Sequence, residues 1–210
     1  MPNSQSSIPR SRIEGLTDLI FGLALSISAI ELVGSVPSSH VRFLTTVAQF
    51  AFSFLILINI WYRYTSVVSV VPIETSLMRR LNMTLLFFVA LEPYLFNLLV
   101  LQGPTYTGFG QDVSTGFALD VGAMTLIIAY FAHLSTQEER GLVPKGALGE
   151  FRSRRNLLAF AGIIFVVSAV PQFWTIIFEG QPVRIWLWVV TFPVGWARRL
   201  SGRRNIAEKG

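Results

Sequence analysis

Six apolar stretches divide this chain, at residues 13–33, 43–62, 81–101, 114–134, 157–178 and 183–197. A helix crosses a bilayer with about 20 mostly apolar residues. Hydrocarbon offers an unpaired backbone group no partner, so each stretch is read as a helix. The expected fold is therefore all-α: a polytopic membrane protein, with a single domain of six transmembrane helices over residues 1–210. The last stretch is the shortest and is interrupted by Pro193. Composition agrees, since 14% of the residues are charged where a soluble domain carries about 25%. The mean hydropathy is +0.55. Without cysteine there is no disulfide framework and no thiolate metal site. Residues 1–9 are polar, and no cleavable leader is expected ahead of the first span.

Basic residues retained on the cytoplasmic side set the orientation of a multi-pass protein. With the N-terminus inside, the inner segments hold 15 of the 17 basic residues, leaving Arg42 and Arg184 outside. Both termini are then expected in the cytoplasm. The sequence pI of about 10.1 would otherwise suggest a nucleic-acid partner, but these charges sit immediately beside spans. That placement serves topology and contact with anionic membrane lipids, and no nucleic-acid partner is expected.

Between the spans, Val36-Pro37-Ser38-Ser39 reads as a tight turn, and 102–112 as an outer loop rich in Gly and Thr with no basic residue. The inner loop 135–155 reads as a hinge between helices one to four and helices five and six. Trp61, Tyr62 and Tyr64 at one end, Trp174, Trp186 and Trp188 at the other, and Trp196 at the inner face are placed as interfacial aromatic belts.

The first span carries Arg12 and Asp18 at its entrance, and charges are costly there. At about 100° per residue, Leu23, Ile27 and Ile30 share a stripe with Ser26 on its shoulder. Gly22, Ser26 and Ala29 form a neighbouring stripe of small residues, which lets membrane helices approach closely. Two arrangements fit. In one, the aliphatic stripe faces lipid and the small stripe packs in the bundle. In the other, copies of this helix meet around an axis, with Leu23 and Ile30 as apolar constrictions and Ser26 as a polar layer. Periodicity leaves both open.

Arg12, Thr17 and Asp18 stand at the inner end of span one, Trp61 at that of span two and Asn82 at that of span three. Asp18 can accept from the Trp61 indole or from Asn82, and Arg12 can donate. Such a network fixes three helix ends against one another, and scaffolding is its plainer role than ion binding.

These residues also carry a resemblance. Arg12-x-x-x-Leu16-Thr17-Asp18, continued by Leu19-Ile20-Phe21-Gly22-Leu23, resembles the Arg-x-x-x-Phe-Ser-Asp signature opening the first helix of the TMEM175 potassium channel family. Ile60-Trp61 is similar to the end of its second helix, Leu81-Asn82-Met83-Thr84-Leu85-Leu86 with Pro93 to its third, and Glu31 through Pro37 to the end of its first. The likeness covers about residues 10–100. Leu16 and Thr17 depart from Phe and Ser, Tyr64 stands where a histidine is expected, and Glu92 is an unusual charge beside Pro93.

The resemblance implies a homotetramer of six-helix subunits of the prokaryotic type, in the cell (plasma) membrane, with helix one lining a central pore. Leu23, Ser26, Ile27 and Ile30 are then the pore-lining and constricting residues, and Glu31 is the acidic group of the outer mouth. A narrow apolar ring strips water from an ion, and potassium holds its hydration shell less tightly than sodium. Weak to moderate potassium selectivity and closure by dewetting are expected. Ser26 hydroxyls would replace some lost water, and Glu31 would raise the local cation concentration. The implied partners are potassium and other monovalent cations. No cofactor is expected, and no metal beyond transient potassium.

Glu92 lies mid-span, Asp120 several residues inside span four and His133 near its inner end. A carboxylate at mid-depth needs a proton or a partner, so a proton- or sodium-coupled secondary transporter using Glu92 and Asp120 is the alternative function. It lacks support from inverted repeats. His40 stands alone in an outer turn. No Ser/His/Asp set at one depth, His-Glu-x-x-His motif or phosphate-cradling loop is present, so no enzyme is expected.

Overall fold

The computed structural model describes residues 12–34, 39–69, 75–102, 108–137, 143 and 145–191 of the chain. Four long helices come first: α1 (Arg12–Gly34), α2 (His40–Val68), α3 (Ser76–Gln102) and α4 (Gly108–Ser135). A 3-10 turn at Lys145–Ala147 leads into α5 (Leu148–Ser168) and the single turn α6 (Gln172–Thr175). A two-residue hairpin follows, β1 (Ile177–Phe178) and β2 (Gln181–Pro182), and the chain re-enters the bundle as α7 over 183–191. Among the described residues, three helices are long and apolar enough to cross a membrane: His40–Val68, Ser76–Leu101 and Gly108–Ser135. The apolar stretch of α1, Gly15–Ile30, is shorter. Among the described residues this membrane protein is all-helical apart from its hairpin.

Local chemistry sets the boundaries. Ser39 is extended and its side chain accepts from the Arg42 backbone N–H, capping α2. Thr75 serves α3 likewise, its hydroxyl oxygen accepting from the Met78 N–H at 3.2 Å. Pro93 sits inside α3 and has no N–H to give the Val89 carbonyl. In the hairpin turn Glu179 and Gly180 both take positive φ, 51° and 73°, the geometry that matches strand twist in a two-residue connection.

α4 is the central helix. It packs on α5, α3 and α2, while α1 lies against α2 and α3 on the flank. Phe117, Met124 and Ile128 of α4 are completely buried. Gly122 and Gly162 bring the α4 and α5 backbones together. A Cβ on Gly162 would lie 2.7 Å from Leu126 Cγ and 3.3 Å from the Gly122 carbonyl, the small-residue contact that membrane helices favour. A run of rings ties the bundle: Phe52 to Phe96, Phe96 to Phe117, Phe117 to Trp188 and Trp188 to Phe165, with centroids 5.1–6.0 Å apart.

Several expectations are corrected. The fifth span does not run from 157 to 178: α5 ends at Ser168, and the apolar residues beyond it form α6 and a strand. Pro171 follows three residues later, and it cannot donate to a continuing helix. The charged segment 148–155 is the first two turns of α5, not loop. Glu150 and Arg154 pair there one helical turn apart. Helix five packs along α4, and residues 138–142 and 144 of the expected hinge lie outside the described residues. α4 begins at Gly108, inside the expected outer loop. Trp174 and Trp188 are buried, so they are core residues and not belt residues, whereas Trp186 is exposed. Arg184 is not a loop charge; it is completely buried. Trp196 and residues 36–38 of the expected turn lie outside the described residues.

Candidate functional site

α1 has two unlike faces. Thr17, Phe21, Ala24 and Ser28, spaced as one helical stripe, are buried against the subunit. Leu19, Leu23 and Ile30 face the other way and are 58–68% exposed, with Ile27 at 39% on the edge. Gly22, Ser26 and Ala29 are exposed too, so the small-residue stripe is not what holds α1 to its own bundle. The choice of face has a physical basis. Phe21 fills the α1–α2 contact beside Tyr64, their rings 6.0 Å apart, and Ala24 supplies the close approach. The Ser26 hydroxyl donates to the Gly22 carbonyl at 2.8 Å, which leaves its oxygen lone pairs directed off the helix.

At the N-terminal end of α1 a polar ring closes over three helices. The Tyr64 hydroxyl donates to Asn82 Oδ1 at 2.7 Å, and Asn82 Nδ2 donates to Thr17 Oγ1 at 3.3 Å. Thr17 Oγ1 lies 3.5 Å from the Tyr64 oxygen, so a Thr17 hydroxyl proton turned toward Tyr64 completes the circuit. Thr17 and Asn82 are fully buried and Tyr64 nearly so, and buried polar groups that satisfy one another rigidify a core. Beside them the Trp61 indole N–H donates to Asp18 Oδ1 at 3.2 Å. Of the donors considered for Asp18, Trp61 makes this bond, while Asn82 is turned to Thr17 and Tyr64. The side chains of Arg12 and Glu31 lie outside the described residues.

Tyr64 is the ring member that sequence reasoning placed elsewhere, in an aromatic belt. Its signal lay in spacing: Ser53, Ile56, Leu57, Ile60, Tyr64 and Val67 form the buried face of α2.

The other ionisable groups divide by depth. His133 is exposed and its Nδ1 lies 3.3 Å from Arg155 Nη1. Arg154 donates to Ser66 at 2.8 Å, joining α5 to α2 at the same end. Glu92 and Asp120 are buried within the bundle. At the hairpin end, Arg184 spends all five of its N–H groups. Nε donates to the Ser168 carbonyl, Nη1 to the Ser114 and Thr115 hydroxyls, and Nη2 to the Ala169 and Val170 carbonyls, at 2.6–3.1 Å. The Ser168 and Ala169 carbonyls end α5 without an intrahelical donor, and the Val170 carbonyl also accepts from the Phe173 N–H, so the guanidinium caps α5 and fastens it to the start of α4. Among the described residues no group of three or more acidic, His or Cys side chains is arranged to hold a metal.

Two comparisons bear on this arrangement. Residues 12–93 match the family model described as Endosomal/lysosomal potassium channel TMEM175, so the resemblance read from α1 to α3 holds. The fold matches that of a chain in a crystal structure of a variant of the potassium channel MtTMEM175, in complex with a Nanobody–MBP fusion protein. The TM-score is 0.61 at 17% sequence identity, over 96% of this chain and 98% of that one. No curated protein sequence matches the chain. Both matches are to ion channels and neither is to an enzyme.

Proposed function

We propose, from the TMEM175 match over residues 12–93, that this chain is a potassium-permeable cation channel of weak to moderate potassium selectivity. Four copies surround a pore lined by α1, with Leu23, Ile27 and Ile30 forming the apolar constriction and Ser26 a polar layer between them. Each subunit crosses the plasma membrane six times with both termini in the cytoplasm, and Glu31 stands at the outer mouth. The observation that carries this reading is the division of α1. One stripe is committed to the subunit through Thr17, Phe21, Ala24 and Ser28, while Leu23 and Ile30 are turned away from it. The ring of Thr17, Tyr64 and Asn82 then sets the rotation of α1, and so which residues meet at the axis.

Discrimination at an apolar ring follows from dehydration: potassium gives up water more readily than sodium, and the ring offers nothing in exchange. The test is a liposome flux assay with potassium, sodium and caesium on wild type, Leu23→Ser and Ile30→Ser. Passive flux needing no counter-ion gradient is expected. Each substitution should raise conductance and narrow the difference between potassium and sodium. Unchanged flux in both variants would remove these residues from the constriction. The coupled-transporter reading draws on the buried carboxylates Glu92 and Asp120; it predicts saturable uptake that loses coupling in Glu92→Gln.

A further inference from the structure

The first helix leaves two buried acids unused. Glu92 of α3 is completely buried, and the Ser53 hydroxyl of α2 lies 3.1 and 3.2 Å from its two oxygens. Asp120 of α4 is 2% exposed, and among the described residues no donor reaches either of its carboxylate oxygens. One register between α3 and α4 brings these acids to one level. Gly116 of α4 faces Leu95 of α3, a Cβ built there lying 3.7 Å from Leu95 Cδ2. The two helices run in opposite directions, so Glu92, about one turn before Leu95, stands level with Leu119 and Asp120. Ser53 of α2 is joined to this level by its bond to Glu92. Ser53, Glu92 and Asp120 therefore come from three helices at about the same level of the bundle.

An ionised Asp120 would be uncompensated there. On α3 the ionisable group at that level is Glu92, of the same sign. α2 carries Arg63, which lines a recess with Val121 and Thr125 and donates to Asn59. α7 carries Arg184, whose five donors go to α4 hydroxyls and α5 carbonyls. α5 has no ionisable residue between Arg155 and Ser168. Neither arginine reaches Asp120. A buried charge without a partner is among the costliest arrangements a core can hold, and such a group inside a span marks function more often than packing.

We propose that Asp120, with Glu92 and Ser53, forms a proton-binding site inside the subunit, separate from the outward face of α1. The bound species is a hydron: the bundle holds Asp120 as the neutral acid, and Ser53 orients Glu92 beside it. A hard cation takes ~six or more oxygen ligands, and these three side chains carry five oxygens, with Ser53 and Glu92 already joined. Folding that retains a proton which the unfolded chain gives up is favoured by protons, so stability falls as pH rises. Because α3 also carries Asn82, loss of the proton loosens the helix against which α1 is anchored.

Infrared spectroscopy and thermal unfolding of the purified protein in liposomes test this, at neutral pH and across about pH 6 to pH 9. The wild type should show the C=O stretch of a protonated carboxylic acid at neutral pH, and Asp120→Asn should weaken it. The midpoint of unfolding should fall across that pH range in wild type, with at least half of the fall removed in Asp120→Asn. Glu92→Gln should also flatten the profile, so a failure of Asp120→Asn to fold leaves the wild-type band and this second variant to decide. A wild type without the protonated-acid band overturns the proposal. So does a pH profile that Asp120→Asn and Glu92→Gln leave unchanged, or a midpoint set by sodium or potassium concentration in place of pH. None of these readouts depends on ion flux.

Discussion

Replacing Arg184 by methionine removes a buried charge and five hydrogen bonds at one stroke while roughly keeping the side-chain volume. Charge-assisted bonds are often taken as worth about 1.5–3 kcal/mol each, which summed over five would exceed what one residue contributes to a fold. Two effects reduce the figure. Interhelical hydrogen bonds in membrane proteins average about 0.6 kcal/mol, so five come to about 3 kcal/mol. The guanidinium's own burial also costs free energy that the variant recovers. Against that, Arg184→Met strands the Ser168 carbonyl at the end of α5, while the Thr115 hydroxyl and the Phe173 N–H still reach the Ala169 and Val170 carbonyls. A net loss of about 2–3 kcal/mol is expected, or roughly 4–12 °C in Tm at about 2–4 °C per kcal/mol for a chain of this size. Arg184→Lys keeps the charge with three donors in place of five and should lose about half as much. Thermal unfolding in detergent, followed by tryptophan fluorescence, reads both: Trp174 lies with its ring 5.7 Å from the guanidinium carbon. If Arg184→Met unfolds within about 0.5 kcal/mol of wild type, the guanidinium is not the fastening between α4, α5 and α7.

Tyr64→Phe removes the donor to Asn82 Oδ1 and should cost about 1 kcal/mol, with faster hydrogen exchange in α1 than in α4; equal protection would show that the ring does not anchor α1. Gly162→Val drives a side chain into Leu126 and the Gly122 carbonyl, and should destabilise by about 1–3 kcal/mol where Gly149→Val, at a site with open space around it, changes little. Trp61→Phe keeps the packing and deletes the bond to Asp18. Its loss should be under about 1 kcal/mol, and a larger fall in Tm would assign Asp18 a greater structural share than one bond gives.

Hydropathy made the middle of the bundle legible, because α2, α3 and α4 are long unbroken apolar runs whose ends are marked by Ser39, Thr75 and Gly108. The depth of Asp18, Trp61 and Asn82 was legible for the same reason: helices of known rise bring residues near their ends to a common level. Hydropathy failed where composition and backbone disagree. Residues 169–178 are apolar yet broken by Pro171, and 148–155 are charged yet helical. Arg184 was illegible because its partners are main-chain carbonyls and two hydroxyls some 70 residues away, and no side-chain pattern announces a carbonyl. The packed face of α1 was left open by periodicity, since Phe21 and Thr17 find their places only against Tyr64, which α2 supplies.

The touching backbones at Gly122 and Gly162 give α5 a fulcrum near its middle. Val166 lies over Gly122 and Leu126 over Gly162, an interlock that resists sliding or parting and leaves tilting about this point. A tilt that opens the grip of Arg154 on Ser66 at one end of α5 must swing its other end, where Arg184 holds the final carbonyls, the opposite way. Disturbance at either extremity of this lever would therefore be felt at the other with its sense reversed.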